Sequence, residues 1–184
     1  MRSDLPSLTQ LQIQQIMTQA VNTVVEVLIN HRLTVESVFD PGRNLFTELS
    51  RREALPAVHE WLRQVCLTAA SAVTQANSRQ ANKKVTRISE YIEQHLTEDL
   101  SLNDVAEWID LSPAYVSRIF KEGTGENFVE YLSERRVEQA ELLLKNTHLS
   151  IKEVGFKCGF NNMQTFIRTF KKISGCTPSQ YRGG

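Results

Sequence analysis

Residues 101–132 read SLNDVAEWIDLSPAYVSRIFKEGTGENFVEYL, and residues 150–182 read SIKEVGFKCGFNNMQTFIRTFKKISGCTPSQYR. The second stretch repeats the first. Val105 aligns with Val154 and Leu111 with Phe160, each 49 residues on. Arg118 then aligns with Arg168, Phe120 with Phe170, Gly125 with Gly175 and Tyr131 with Tyr181, each 50 residues on. One residue is therefore inserted in the turn of the second copy. Each copy predicts two short helices around a tight turn, at about 101–123 and 150–173, with an arginine at the matching place. Two such units fit two helix-turn-helix reading heads on one DNA duplex.

The punctuation of the repeat supports this division. Ser101 with Asp104 and Ser150 with Glu153 form S-x-x-acid capping boxes that open helices, and Asn127 with Glu130 has the related pattern. Ser112 followed by Pro113 places a cap before a proline at the first helical position. Gly159 marks the end of the second unit's first helix, and Asn161 is the expected cap of the next. Gly123, Gly125 and Gly175 are expected to close the recognition helices. Between the units, residues 127–145 predict a linking helix about 28 Å long at 1.5 Å per residue. One turn of DNA is about 34 Å, the separation that successive major-groove readers require.

The 184 residues are 41% hydrophobic and 23% charged, with no apolar run long enough to span a bilayer. Three cysteines, Cys66, Cys158 and Cys176, lack CxxC spacing, which argues against a disulfide framework or zinc knuckle. Four scattered histidines make no metal set. The formal net charge of zero conceals an uneven distribution. Residues 83–141 carry 7 basic and 13 acidic side chains, whereas residues 142–184 carry 7 basic and 1 acidic. Phosphate binding follows local charge, so the basic end stays compatible with nucleic acid.

Upstream, residues 9–31 place Leu11, Ile13, Ile16, Met17, Ala20, Val24, Val27 and Leu28 near a 3.6-residue period, predicting a helix with one apolar stripe. DPGRN at 40–44 is turn chemistry. Residues 45–50 predict a short helix, and 53–78 a longer one with Pro56 in its first turn. The polar stretch ANSRQANKK at 76–84 is the expected boundary between residues 1–80 and 81–184, although a helix can run through it. Val85, Ile88, Tyr91, Ile92, His95 and Leu96 then predict a short amphipathic helix.

The quoted motifs, with the closing G-x-T-P-S-Q-Y-R pattern at 175–182, resemble the AraC/XylS family of bacterial transcription regulators. The similarity runs from about Val85 to Arg182. It implies an all-α fold: a helical N-terminal segment, then a seven-helix domain with two helix-turn-helix units joined by a long linker helix. It also implies a sequence-specific regulator of transcription reading adjacent major-groove segments of double-stranded DNA. NLFTELSRREALPAVHEWLRQVC at 44–66 is similar to the helical connector of YesN-like response regulators, which implies the output part of a two-component system; the apolar stripe of residues 9–31 makes residues 1–80 an expected dimerisation or signal-relay unit. Contact with RNA polymerase, as an activator, and a place on the bacterial nucleoid in the cytoplasm are implied too. No cofactor, metal or membrane is expected.

By position in the family motif, Ala114, Tyr115, Ser117 and Arg118 are expected to meet bases from the first unit, and Asn162, Gln164, Thr165 and Arg168 from the second. Phe120 and Phe170 should point inward, which turns each arginine about 200° away at 100° per residue. Arginine reads guanine through two parallel hydrogen bonds, while Gln and Asn suit adenine and a Thr methyl suits thymine. A surface arginine that binds only phosphate is the competing reading. Lys121, Lys171, Lys172 and Arg182 are candidate phosphate anchors, though each also fits a solubilising role. Trp108 is expected in or at the edge of the core. Gly155 replaces the family's usual alanine, at a cost of about 1 kcal/mol.

Two other classes compete. DNA-alkylation repair enzymes can carry this domain, but their Pro-Cys-His-Arg acceptor motif is absent, as is any catalytic triad or P-loop. A helical protein-interaction module with degenerate DNA binding is the other alternative, kept open by the acidic balance of 83–141.

Overall fold

The computed structural model describes residues 9–52 and 54–183. Among them every regular element is helical, with no strand. They divide into two compact units, one up to Gln80 and one from Ala81.

The first unit holds α1 (Gln10–Asn30), α2 (Val35–Val38), α3 (Leu45–Ser50) and the start of α4 (Leu55–Gln94). Thr9 opens α1 through a capping box with Gln12, and Thr34 opens α2 with Ser37. The core gathers Val21, Leu28, Phe39, Leu45, Leu49, Val58, Trp61, Val65 and Ala69. The buried line of α1 runs through Met17, Val21, Val24 and Leu28, the 4-3-4 spacing of one helical face. This corrects the expected stripe. Leu11 and Ile16 lie off that line and stay exposed, at 67% and 51%, as does Val27 at 40%.

Helix α4 passes through residues 76–84 without a break, where two separate helices were expected. That stretch has no Gly or Pro and is rich in Ala, Gln, Lys and Arg, which favour helix even without an apolar stripe.

The second unit comprises the last turns of α4, α5 (Leu102–Trp108), α6 (Pro113–Thr124), α7 (Phe128–Asn146), α8 (Ile151–Lys157), α9 (Met163–Ser174) and α10 (Pro178–Gly183). Counting α4, that makes the seven helices the family resemblance implied. The unit has two cores. Val85, Ile88, Ile92, Val105, Ala106, Val116, Ile119 and Phe120 fill the first, and Val154, Cys158, Phe160, Phe166 and Phe170 the second. Helix α7 serves both: Phe128 and Leu132 close the first, while Val137, Ala140 and Leu144 close the second. The repeat extends to aromatic geometry. Phe120 meets Tyr131 edge-on at 5.1 Å and 89°, and Phe170 meets Tyr181 at 5.5 Å and 81°.

Candidate nucleic-acid interface

Each helix-turn-helix unit turns through a residue with positive φ, Asp110 at 57° and Gly159 at 83°. The next N–H then reaches back to the first helix, Leu111 to the Ala106 carbonyl at 2.9 Å and Phe160 to that of Gly155 at 3.0 Å. These equivalences keep the 49-residue offset, and the caps that follow obey the 50-residue one. The inserted residue is thus Asn161.

The caps correct one expectation. Ser112 Oγ accepts from the Tyr115 N–H at 3.3 Å, as anticipated. In the second unit the cap is Asn162, not Asn161: its Oδ1 accepts from the Gln164 and Thr165 N–H groups at 2.8 and 3.1 Å. Phe160 must reach the core, so Asn161 is used up in the turn. Capping occupies the oxygen that two-pronged adenine reading requires, leaving Asn162 its amide N–H groups.

Helices α6 and α9 have 12 residues each and end on Gly125 and Gly175 in the left-handed region, with φ of 85° and 77°. Gly123 does not close α6. It lies inside the helix, where a β-carbon would stand 2.8 Å from Cγ2 of Val85. One face of each helix is buried, through Val116, Ile119 and Phe120 in α6 and through Phe166 and Phe170 in α9. The opposite faces carry the expected candidates. Ala114, Ser117, Arg118 and Lys121 are exposed on α6, and Tyr115 is half-buried. Gln164, Thr165, Arg168, Lys171 and Lys172 are exposed on α9, with Asn162 at its cap.

The two arginines differ in surroundings. Arg118 Nη1 lies 3.6 Å from Glu122 Oε1, and its guanidinium sits 5.2 Å from the Tyr115 ring centre. Arg168 has no carboxylate within 4.0 Å among the described residues. Arg182 is half-buried, and its Nε donates to the Leu144 carbonyl at 3.4 Å. Of the four proposed phosphate anchors it is the most restrained.

Two residues on these faces escaped the sequence reading. Lys84, on α4 about three turns before its end, places Nζ 5.1 Å from the Tyr115 ring, adding a cation beside the first recognition helix. Ile167 takes the place of Ser117 in the second and is 38% exposed, an apolar contact suited to a thymine methyl. Trp108 lies at the edge of the core, not within it. It is 42% exposed, stacked on Tyr91 at 4.2 Å with the Arg87 guanidinium 5.4 Å from its ring.

Burial pushes the Cys158 thiol up to about 11, so it stays protonated at neutral pH. A buried neutral thiol is a poor nucleophile. Among the described residues no group of acidic, histidine and cysteine side chains is arranged to hold a metal, and no helix is long and apolar enough to cross a membrane.

A family profile described as a helix-turn-helix domain matches residues 105–184. An HTH-type transcriptional regulator of Staphylococcus aureus is 40% identical over 100 residues, covering 54% of this chain and 13% of its own length. The HTH-type transcriptional regulator YtdP of Bacillus subtilis is 28% identical over 173 residues, 93% of this chain and 22% of its own length. The chain thus spans less than a quarter of these relatives. Among solved structures, the C-terminal domain of AraT, a response regulator from Geobacillus stearothermophilus, shares 39% identity over 54% of this chain and 84% of that domain, with a TM-score of 0.54. The DNA-binding domain of AdpA, a global transcriptional factor solved with a target DNA, shares 27% identity over 54% of this chain and 89% of its own, with a TM-score of 0.52. With twin helix-turn-helix units on one linker and these relatives, the chain belongs to the AraC/XylS family of helix-turn-helix proteins.

Proposed function

We propose that this chain is the DNA-reading end of a transcription regulator that binds an asymmetric duplex site sequence-specifically. The observation that carries this reading is the pair of matched helices, α6 and α9, each burying a phenylalanine and exposing an arginine at the same register. The two helices enter successive major-groove segments. Arg118 and Arg168 face guanines, with Ala114, Tyr115, Ser117, Asn162, Gln164 and Thr165 beside them, while Lys121, Lys171, Lys172 and Arg182 neutralise phosphates. Lys84 joins the phosphate set and Ile167 the base contacts.

The first unit serves as a dimerisation or relay element. The exposed Leu11, Ile16, Val27 and Ile29 on α1 supply apolar surface for a second copy. Contact with RNA polymerase completes the activator role in this reading.

The test is a gel shift and footprint with duplexes selected from a random library, repeated across salt. A DNA reader loses affinity steeply between about 50 and 200 mM salt and protects two successive groove segments on one side of the duplex. No salt-dependent shift would instead mark a protein-interaction module. Sedimentation of the full chain tests the dimer, which a strict monomer at high micromolar concentration would overturn.

A further inference from the structure

We infer that the two reading heads are unequal, the second carrying most of the affinity and the first held in check by Glu122. This rests on the proposed placement of α6 and α9 in the groove, and it concerns what sets the specificity of that site.

The 50-residue register allows the heads to be compared position by position. Arg118 matches Arg168 and Lys121 matches Lys171. The next position reverses sign: Glu122 on α6 stands where Lys172 stands on α9. Three further positions on these faces differ, with Ala114 against Gln164, Tyr115 against Thr165 and Ser117 against Ile167. Helix α9 itself therefore has one cation more than α6, no anion and a side chain able to grip adenine through two hydrogen bonds, whereas the first head draws its third cation, Lys84, from α4.

The geometry around the arginines follows that difference. Arg118 has Glu122 at 3.6 Å and the Tyr115 ring at 5.2 Å, so both a carboxylate and an aromatic face compete with DNA for its guanidinium. Lys84 approaches the same ring at 5.1 Å. Arg168 has neither kind of competitor among the described residues: no ion pair and no aromatic ring within stacking distance.

The Arg118–Glu122 pair is itself weak, since both side chains are about 60% exposed and water screens such pairs. The larger effect is repulsion. A groove-bound α6 carries the Glu122 carboxylate toward a phosphate strand, and that anion offsets one cation of the first head. Fewer counterions are released there, and contacts to the first half of the site contribute less. Glu122 thus sets how strictly the first half-site is read.

The test uses the full chain and a duplex that it selects from a random library. Affinity is measured against salt for wild type, E122Q, E122K, R118A and R168A, with thermal melting as a folding control. We expect R168A to lose about tenfold or more and R118A only about two- to threefold. E122Q should gain about two- to threefold, and E122K more, with the salt slope steepened by about one unit. Repeating the selection with E122K should sharpen base preference in the first half-site alone. Equal losses from R118A and R168A, or no gain from either Glu122 variant, would overturn the inference while leaving two-headed reading intact. Failure of the wild-type chain to shift any duplex would overturn both.

Discussion

The guanidinium of Arg136 lies directly against Gly159: a β-carbon there would stand 2.9 Å from its Nε and 3.0 Å from Cζ. Arg136 belongs to α7, and Gly159 to the turn of the second helix-turn-helix unit. The same guanidinium donates to the Leu96 carbonyl at 2.8 Å and the Glu98 carbonyl at 2.7 Å, beside the first core. One arginine therefore fastens the linker to both halves of the domain. Arg136→Ala should remove two charge-assisted hydrogen bonds and lower stability by about 1–3 kcal/mol. Arg136→Lys should recover only part, since an ammonium lacks the planar fork that reaches both carbonyls. Urea unfolding of the full chain checks the order wild type, Lys, Ala.

Gly155 is a second close approach. An added β-carbon would meet Phe166 Cδ1 at 2.8 Å. The equivalent pair in the first unit is Ala106 and Val116, a larger helix residue against a smaller partner. The family's usual alanine is thus replaced because Phe166 occupies its space. Gly155→Ala gains about 1 kcal/mol of helix propensity but overpacks the core, which costs about 1–3 kcal/mol. We expect a net loss. Phe166→Val alone should leave a cavity and also destabilise. The double variant, which recreates the first unit's pairing, should be more stable than the sum of the single effects by at least about 0.5 kcal/mol. Simple additivity in thermal melts would contradict this.

Much of this was legible in the sequence because it rests on local chemistry. The capping boxes at Ser101, Asn127 and Ser150 fix helix starts from neighbouring residues alone, and the phenylalanine–arginine spacing fixes which side faces out. What escaped depended on distance or on a choice between neighbours. Lys84 and Tyr115 are far apart in sequence, and nothing local announces that α4 brings them together. Asn161 and Asn162 carry the same side chain, so only the position of Phe160 in the core decides which one caps. Helix α2, with four residues, is too short to show a period. Trp108 was expected in the core or at its edge, and the choice between them rests on Tyr91, distant in sequence, on which the ring stacks.

Glu48 gives the first unit a pH-sensitive element. Its carboxylate accepts from Arg43 Nε at 2.6 Å, Arg43 Nη2 at 3.1 Å and Trp61 Nε1 at 2.8 Å. The Arg43 hydrogen bonds, reinforced by Trp61, hold this carboxyl below the ordinary glutamate value of 4.5. A lowered folded-state pKa stabilises the fold above 4.5, and that contribution is lost as pH falls through the folded value. Glu48→Gln should lower stability at neutral pH by about 1–2 kcal/mol and flatten the acid limb of a stability–pH curve. Fluorescence of Trp61, only 6% exposed, reports the unfolding. An unchanged acid limb would show that the network adds nothing to stability.

Arg168 allows base reading to be separated from phosphate anchoring. It is exposed on α9, two residues before the buried Phe170, and has no ion pair among the described residues. Arg168→Ala should therefore leave the melting temperature nearly unchanged while weakening specific binding by about 1–3 kcal/mol. A large drop in melting temperature would mean the side chain is structural. Arg168→Lys decides between the two DNA roles, because lysine keeps the charge and loses the fork. If Arg168 grips a guanine, Lys should bind scrambled duplex as well as wild type does but lose preference at one base pair. If it holds a phosphate, Lys should preserve sequence preference, and Ala should weaken all duplexes alike with a salt slope shallower by about one unit. We expect the first pattern, since the residue occupies the centre of the exposed face, with Lys171 and Lys172 one turn further along toward the helix end.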